Sequence, residues 1–274
     1  MGARVWLITG ATSGFGRAIA EAALAEGDTV VVAVRRPDGL GDLTERVSVA
    51  TLDVTDVDAM PAVVEQVLAE HGRIDVLVNN AGRGHLGAVE ETTDAELRAL
   101  MDLHFFGPTA LTRLVLPAMR DRGSGAIVQM SSMGGRVTFP GVGGYSATKY
   151  ALEGWSEALA AEVRPFGITV LIVEPGAFRT GFNTSDAIGT SSPLPAYQEQ
   201  LEALRASFAD ADGRQPGDPV KAAAAIVTAL AHDNPPLHLP LGPDAVDMIG
   251  TNLATQSEEI HRWAELSNST NVSA

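Results

Sequence analysis

Tyr145 and Lys149 stand four positions apart in a stretch of helical period, which puts them on one face about one turn apart. A phenol whose ordinary pKa is about 10 carries protons poorly at neutral pH, and a neighbouring ammonium favours the phenolate and lowers that value. The pair therefore predicts an acid/base group in which Tyr145 moves the proton and Lys149 makes the phenol more acidic. The chain holds three Tyr and two Lys, so this spacing would arise in about 2% of shuffled sequences and coincidence is a weak rival. Upstream, Ser131-Ser132 follows an apolar run, and a hydroxyl there could donate to a substrate oxygen that gains negative charge. By itself a Ser-Ser pair after a strand reads as a turn or cap, and only the constellation promotes Ser132.

A second group sits near the N-terminus. Thr9-Gly10-Ala11-Thr12-Ser13-Gly14-Phe15-Gly16 lies between an apolar run and a helical stretch. Glycine allows a tight turn and close approach of backbone to a pyrophosphate, and the helix N-terminus offers N–H groups and the positive end of its dipole. The spacing differs from G-x-G-x-x-G, and the plain alternative is a glycine-rich connection in a chain with 28 Gly. After the next apolar run comes Arg35-Arg36, where an acidic residue would bind both ribose hydroxyls of NAD. An Arg pairs instead with a 2′-phosphate, so NADP(H) is the expected cofactor and NAD(H) the alternative. A Lys at 149 fits such a partner, because its compact head can reach a ribose hydroxyl beside the phenol.

The elements that must position these groups follow from periodicity. Short β-branched runs over 5–9, 30–34, 47–52, 76–79, 126–130 and 168–173 read as six strands. Helical stretches over 14–26, 57–71, 94–122 and 145–163 alternate with them, the third expected to break at Pro108 or Pro117. Apolar strands with crossover helices predict an α/β fold: a single-domain Rossmann-type doubly wound parallel sheet over 1–266. Residues 183–195 are rich in Ser, Thr, Gly and Pro, and helical period returns over 196–211 and 219–231. The segment 183–211 is read as a substrate-loop insertion after the sixth strand, at the carboxyl ends where open α/β sheets bind ligands. Residues 267–274 have little to bury and are expected to fray.

Composition narrows the function. The net charge of −15 repels phosphate backbones and anionic lipid, so neither nucleic acid nor membrane is an expected partner. The absence of Cys removes disulfides, thiolate metal sites and thiol nucleophiles. His71, His232, His238 and His261 show no ligand-spaced cluster, so no metal is expected. Met1-Gly2-Ala3-Arg4 runs into an apolar stretch too short for a signal-peptide core, and a cytoplasmic location is expected.

Together these residues resemble the classical short-chain dehydrogenase/reductase family, its 17β-hydroxysteroid-dehydrogenase-like and ketoreductase-like branch. The resemblance runs from Val5 to about Thr180 and rests on Thr9–Gly16, Asp53-Val54, Asn79-Asn80-Ala81-Gly82, Ser132, Tyr145-x-x-x-Lys149, and Pro175-Gly176 with Thr180. It implies that Gly10, Thr12, Ser13, Gly14, Phe15 and Gly16 cradle the cofactor, with Arg35 and Arg36 at its 2′-phosphate. Asp53 and Val54 would hold the adenine end, Asn80, Ala81 and Gly82 would line the cleft, and Pro175, Gly176, Phe178 and Thr180 would meet the nicotinamide. Tyr145 would protonate the forming alkoxide, Ser132 would assist, and Lys149 would grip the nicotinamide ribose.

There is one departure. Where family members carry an Asn that holds a water connected to the lysine, this chain has His104. An imidazole can also hold a water, which would retain the relay with altered pH dependence, and the competing reading is a satisfied core histidine. His85 is a weaker candidate for the substrate pocket, and Arg83 is no stronger.

The resemblance implies an NADP(H)-dependent oxidoreductase interconverting a ketone and a secondary alcohol, with a bulky or apolar small-molecule substrate. Family members commonly assemble as homodimers or homotetramers through the helices represented here by 94–122 and 145–163. Two alternatives stand beside it: another chemistry on the same fold (C=C reduction, hemiacetal oxidation or a net non-redox reaction), and a non-catalytic NADP-binding protein.

Overall fold

The computed structural model describes residues 3–182, 184 and 187–272; the expected loop start at Asn183 and the end of the expected tail, Ser273 and Ala274, lie outside them. The chain runs β1 (Val5–Thr9), α1 (Gly14–Ala25), β2 (Thr29–Val34), β3 (Ser48–Thr51), α2 (Met60–His71), β4 (Val76–Asn79), β5 (Gly84–Leu86) and α3 (Asp94–Met101). It continues through α4 (Gly107–Arg122), β6 (Gly125–Met130), α5 (Gly143–Val163), β7 (Ile168–Pro175), β8 (Ile188–Thr190), α6 (Pro195–Asp210), α7 (Pro219–Ala231), β9 (His238–Leu241), α8 (Pro243–Arg262) and α9 (Ala264–Asn268).

Seven strands form one parallel sheet in the order β3-β2-β1-β4-β6-β7-β9. Successive side chains of β1 point to opposite faces. Trp6 and Ile8 pack with Ile19 and Ala23 of α1 and with Ala223 and Ile226 of α7. Val5 and Leu7 pack on the other face with Val64 of α2, Leu111 and Val115 of α4, and Leu159 of α5. Burial on both faces explains why these strands read as continuous apolar runs. The order reverses between β1 and β4, and the crevice opens there, at the carboxyl ends of the strands.

Three strands escaped the sequence reading. β9 adds the seventh edge of the sheet through a His-Leu-Pro-Leu segment that lacks a β-branched run, and Pro240 is tolerated on an edge. β5 and β8 are three residues each and pair only with one another, so their signal is tertiary. β7 is the sixth strand of the main sheet in chain order, and β8 and α6 follow it as the expected insertion.

The break in 94–122 falls at neither proline. A π-helical turn, Asp102–Phe106, separates α3 from α4; Pro108 sits in the first turn of α4, and Pro117 lies inside that helix. Gly107 permits the approach, since a Cβ there would lie 2.2 Å from the Val54 carbonyl oxygen. Ser267 and Asn268 of the expected tail close α9, and residues 265–272 are all exposed. Among the described residues, no helix is long and apolar enough to cross a membrane.

Candidate active site

The glycine loop is fixed by the strands beneath it. Thr9, at the end of β1, donates its hydroxyl to Val78 O at 3.3 Å and accepts the N–H groups of Asn80 at 2.9 Å and Ala81 at 3.0 Å. The Asn80 amide returns to the Thr9 and Gly10 carbonyls at 2.9 and 3.0 Å. Gly14 has φ +56°, and a Cβ there would meet the Thr180 carbonyl oxygen at 2.9 Å, so glycine serves both conformation and clearance. Ser13 caps α1 without a side-chain bond to its N–H groups, and no acidic residue stands in the first turn, which leaves that end open to an anion. Gly16 is different from the other loop residues the sequence nominates: it does not line the crevice. A Cβ there would strike Asn80 Nδ2 and Gly10 O, each at 2.4 Å, so its task is packing.

The crevice has a volume of about 1360 Å³ and runs from Arg35, Arg36, Asp53 and Val54 past Asn80, Ala81 and Gly82 to Ser132, Tyr145 and Lys149. Gly10, Thr12, Ser13, Gly14 and Phe15 line it on one side, and Pro175, Gly176, Phe178 and Thr180 on the other. Its volume suits a dinucleotide plus a substrate better than a single drug-sized ligand, whose pockets are roughly 300–1,000 Å³. Arg35 stands 3.9 Å from Asp53 with most of its side chain in solvent, so it is free to turn toward an anion. Asp53 is pinned by the Thr55 N–H and hydroxyl, bonds that hold its carboxyl below the ordinary carboxylate range. Phe15 and Phe178 meet ring to ring at 5.1 Å and brace the glycine loop against the loop after β7.

Ser132 leaves β6 and caps a short 3₁₀ turn, its Oγ accepting the Gly134 N–H at 3.0 Å, and its hydroxyl lies on the Tyr145 side of the crevice, where it lowers the phenol's pKa. Ser132 thus caps the turn and also lines the crevice. Tyr145 and Lys149 occupy one face of α5, with the Lys149 Nζ 5.8 Å from the phenol ring centroid. The electrostatics differ from the sequence expectation. Burial pushes the Tyr145 phenol up to about 12, Ser132 offsetting only part of this, so the phenol is not made more acidic here. Lys149 donates to the Met130 carbonyl at 2.8 Å instead of reaching the hydroxyl, and burial pulls its ammonium down to about 8, Glu153 opposing. Desolvation outweighs the attraction that spacing alone suggests.

His104 points inward from the π-helical turn and is 1% exposed. The Arg83 N–H donates to its Nε2 at 3.1 Å, so the neutral ring carries its proton on Nδ1 and donates to Thr148 Oγ1 at 2.9 Å. That hydroxyl donates onward to the Tyr145 carbonyl at 2.7 Å. Burial, with the Lys149 and Arg83 charges, holds the imidazole well below its ordinary range. Both ring nitrogens are engaged, and the ring packs edge-on to Tyr145 at 5.5 Å. His104 therefore braces Tyr145 rather than presenting a free nitrogen to a water.

The substrate end is walled by Leu86, Phe139, Val142, Phe182, Ile188 and Phe208. His85 lines it, its Nε2 2.9 Å from Ser191 Oγ, and burial lowers its pKa. The sequence reading missed Gln215, 4% exposed, which borders the crevice and whose buried amide leaves both polar atoms unpartnered. It also missed Glu91, which accepts the N–H groups of Ala88 and Leu194 and pairs with Arg205 of α6 at 2.7 Å. Burial alone would raise its carboxyl, but these donors hold it below the ordinary value. His238, isolated in sequence, lies in the fold beside Glu153, Glu157 and Glu174. The Lys149-x-x-x-Glu153-x-x-x-Glu157 spacing on one helix face was the signal available for that group.

The sheet, the glycine loop and the Ser132/Tyr145/Lys149 wall define a dinucleotide-binding oxidoreductase class. The chain belongs to the short-chain dehydrogenase family, whose model matches residues 4–188. It is 38% identical over 273 residues to Oxidoreductase BOA17 of Botryotinia fuckeliana, covering 96% of this chain and 98% of that one. It is 40% identical over 246 residues to the 3-ketodihydrosphingosine reductase of Bacteroides thetaiotaomicron, covering 88% of each. A solved short-chain dehydrogenase from Streptomyces avermitilis superposes with TM-score 0.93 at 53% identity, covering 99% of this chain and 100% of that one. One from Burkholderia cenocepacia, in complex with NADP, gives 0.74 at 26%, covering 95% and 97%.

Proposed function

We propose that this enzyme is an NADP(H)-dependent oxidoreductase interconverting a ketone and a secondary alcohol, with Tyr145 as acid/base. The observation that carries the reading is a single crevice with an open helix N-terminus and two arginines at one end and the phenol of Tyr145 beside Ser132 at the other. Arg35 and Arg36 would meet the 2′-phosphate, Asp53 and Val54 the adenine end, and Lys149 the nicotinamide ribose. Bound nicotinamide supplies the hydride chemistry.

The chain's own residues handle the proton and the geometry. The raised phenol keeps Tyr145 protonated at neutral pH, loaded to donate to a carbonyl oxygen as charge develops there. Ser132 donates to the same oxygen and fixes the phenol's direction. His104 and Thr148 hold the Tyr145 backbone, and the apolar walls exclude water and suit a bulky, apolar substrate. A relative named for reduction of a keto compound supports the ketone reading, and a neighbour in complex with NADP supports the cofactor. We read the active form as a cytoplasmic homodimer or homotetramer, supported by the exposed Phe106, Tyr150 and Phe166 around α4 and α5.

The test is a panel of bulky ketones and conjugated enones offered with NADPH or NADH, followed by nicotinamide absorbance. The reading expects ketone-dependent oxidation of NADPH, favoured over NADH by about tenfold or more. Tight NADPH binding with no ketone reduced would contradict it, and turnover of enones alone would move the chemistry to the C=C bond.

A further inference from the structure

One polar side chain at the substrate end has no part in the proposed chemistry. Leu86, Phe182 and Ile188 wall that end with carbon, yet His85 borders the crevice beside them, 5% exposed. β5 and β8 run side by side with His85 opposite Gly189, and Ser191 follows directly after β8. The Ser191 hydroxyl, 1% exposed, donates to Glu96 Oε2 at 3.2 Å. That oxygen also accepts the Thr93 N–H and hydroxyl at 2.8 Å each, bonds that hold the Glu96 carboxyl below its ordinary range and keep it ionised. A carboxylate only accepts, so the one hydrogen of the Ser191 hydroxyl is committed to Glu96. His85 Nε2, 2.9 Å from Ser191 Oγ, is therefore the donor of its own pair. Burial lowers the imidazole's pKa, Glu96 opposing, which leaves a neutral ring with its proton on Nε2 and a bare lone pair on Nδ1. No described residue hydrogen-bonds Nδ1. It stands over Gly189, where a Cβ would come within 3.1 Å of it, so the missing side chain keeps that nitrogen uncovered.

We propose that His85 reads a hydroxyl group of the substrate, away from the reacting carbonyl: Nδ1 accepts its hydrogen bond, and Glu96, acting through Ser191, locks the ring in the accepting tautomer. The inference deepens the carbonyl-reductase reading and rests on it. The preferred substrate is then a hydroxy ketone, bulky and mostly apolar but carrying one O–H donor, and its reduced form is a diol. His85 sets specificity, while Ser191 and Glu96 are positioning residues that act through the ring. A histidine needed only to tie β8 down would be served by Nε2 alone, yet position 189 is also kept free of a side chain. Gly189 is not at positive φ, so its backbone does not demand glycine, and clearance over Nδ1 is the use the fold makes of it. A ring free to exchange tautomers would take a donor or an acceptor equally, whereas this one takes donors only. A fixed acceptor in an apolar wall also discriminates well, because a ligand without the matching donor leaves it dry and unpaired.

The experiment offers the full-length enzyme decalone, a series of ring-hydroxylated decalones and their methyl ethers, with NADPH. The parent should favour the best hydroxy ketone over both its methyl ether and the unsubstituted ketone by about tenfold in kcat/KM, chiefly through KM. Gly189→Ala sets a methyl group against Nδ1 and leaves the Ser191 bond in place; it should bring that ratio to within about twofold with NADPH affinity, read by fluorescence, unchanged. His85→Phe should do the same, and if it fails to fold, Gly189→Ala decides alone. A merely structural role would slow all three substrates together and leave their ratio alone. A ratio unchanged in the variants, or a parent that prefers no hydroxylated ketone, overturns the proposal. The tautomer has its own readout in nitrogen NMR of protein with isotope-labelled histidine. The Nδ1 signal that Gly189→Ala displaces should be of the unprotonated, pyridine type, and a protonated Nδ1 overturns the proposal. Should the parent reduce no ketone, the earlier reading fails separately and the same spectrum still tests the site. A shift of that signal with hydroxydecalone and none with its methyl ether supports it, and equal responses refute it.

Discussion

The two walls of the crevice are built differently. On the cofactor side, Thr9 and Asn80 tie β1, β4 and the glycine loop together with short backbone-directed hydrogen bonds, and a Cβ at Gly10 or Gly14 would collide with backbone. On the substrate side, β8 pairs with β5 over three residues, and α6 is held by the Glu91–Arg205 and Glu90–Tyr197 contacts and by Leu201 and Leu204 over Gly141, while most of its length faces solvent. The chemistry shared by a family needs a rigid floor, whereas the part that chooses a substrate hangs on a few long-range contacts that can change without disturbing it.

That contrast can be broken from either side. Gly14→Val adds a β-branched side chain at φ +56° against the Thr180 carbonyl and should weaken NADPH by about a hundredfold or more in a fluorescence titration. Arg35→Asp should cost NADPH about a hundredfold and NADH less than about threefold; equal losses would remove the 2′-phosphate assignment. Across the crevice, Glu91→Gln leaves Arg205 poorly paired and should raise the ketone KM about tenfold, with NADPH affinity unchanged and faster amide exchange in α6. An equal loss of NADPH binding would mean that the two walls are not separable.

Two smaller effects sharpen the comparison. Glu153 is raised above its unfolded value of 4.5 to about 8, so the native state binds more protons than the unfolded chain between those pH values. Its contribution to stability should therefore fall as pH rises through that window, and thermal melts of Glu153→Gln should show a flatter pH dependence than the parent. His104→Asn should change kcat by about threefold or less, because the ring braces Tyr145 through Thr148.

The cofactor floor was legible because its residues are close in sequence and constrained in type. Thr9–Gly16, Asn80–Gly82 and Tyr145/Lys149 each announce themselves within eight positions, and the six predicted strands carry the apolar runs that a doubly buried sheet requires. Gly16 stands out from its neighbours only in the fold, because a glycine in a phosphate loop and a glycine packed under it look alike in sequence. The phenol's acidity was misjudged for a related reason: spacing reports the nearby ammonium, but desolvation depends on what covers the ring. Glu91, Gln215 and His238 were hidden because their partners are distant in the chain, Glu91 reaching Arg205 and His238 reaching Glu153 and Glu174. β5, β8 and β9 are too short or too polar to show a period of two.

The account turns on Tyr145, and the direct measurement is single-turnover reduction of a ketone by NADPH in the parent and in Tyr145→Phe, with cofactor affinity measured in parallel. The prediction is NADPH affinity within about threefold and a reduction rate lower by about a thousandfold. A variant that binds NADPH normally and reduces the ketone as fast as the parent would contradict it.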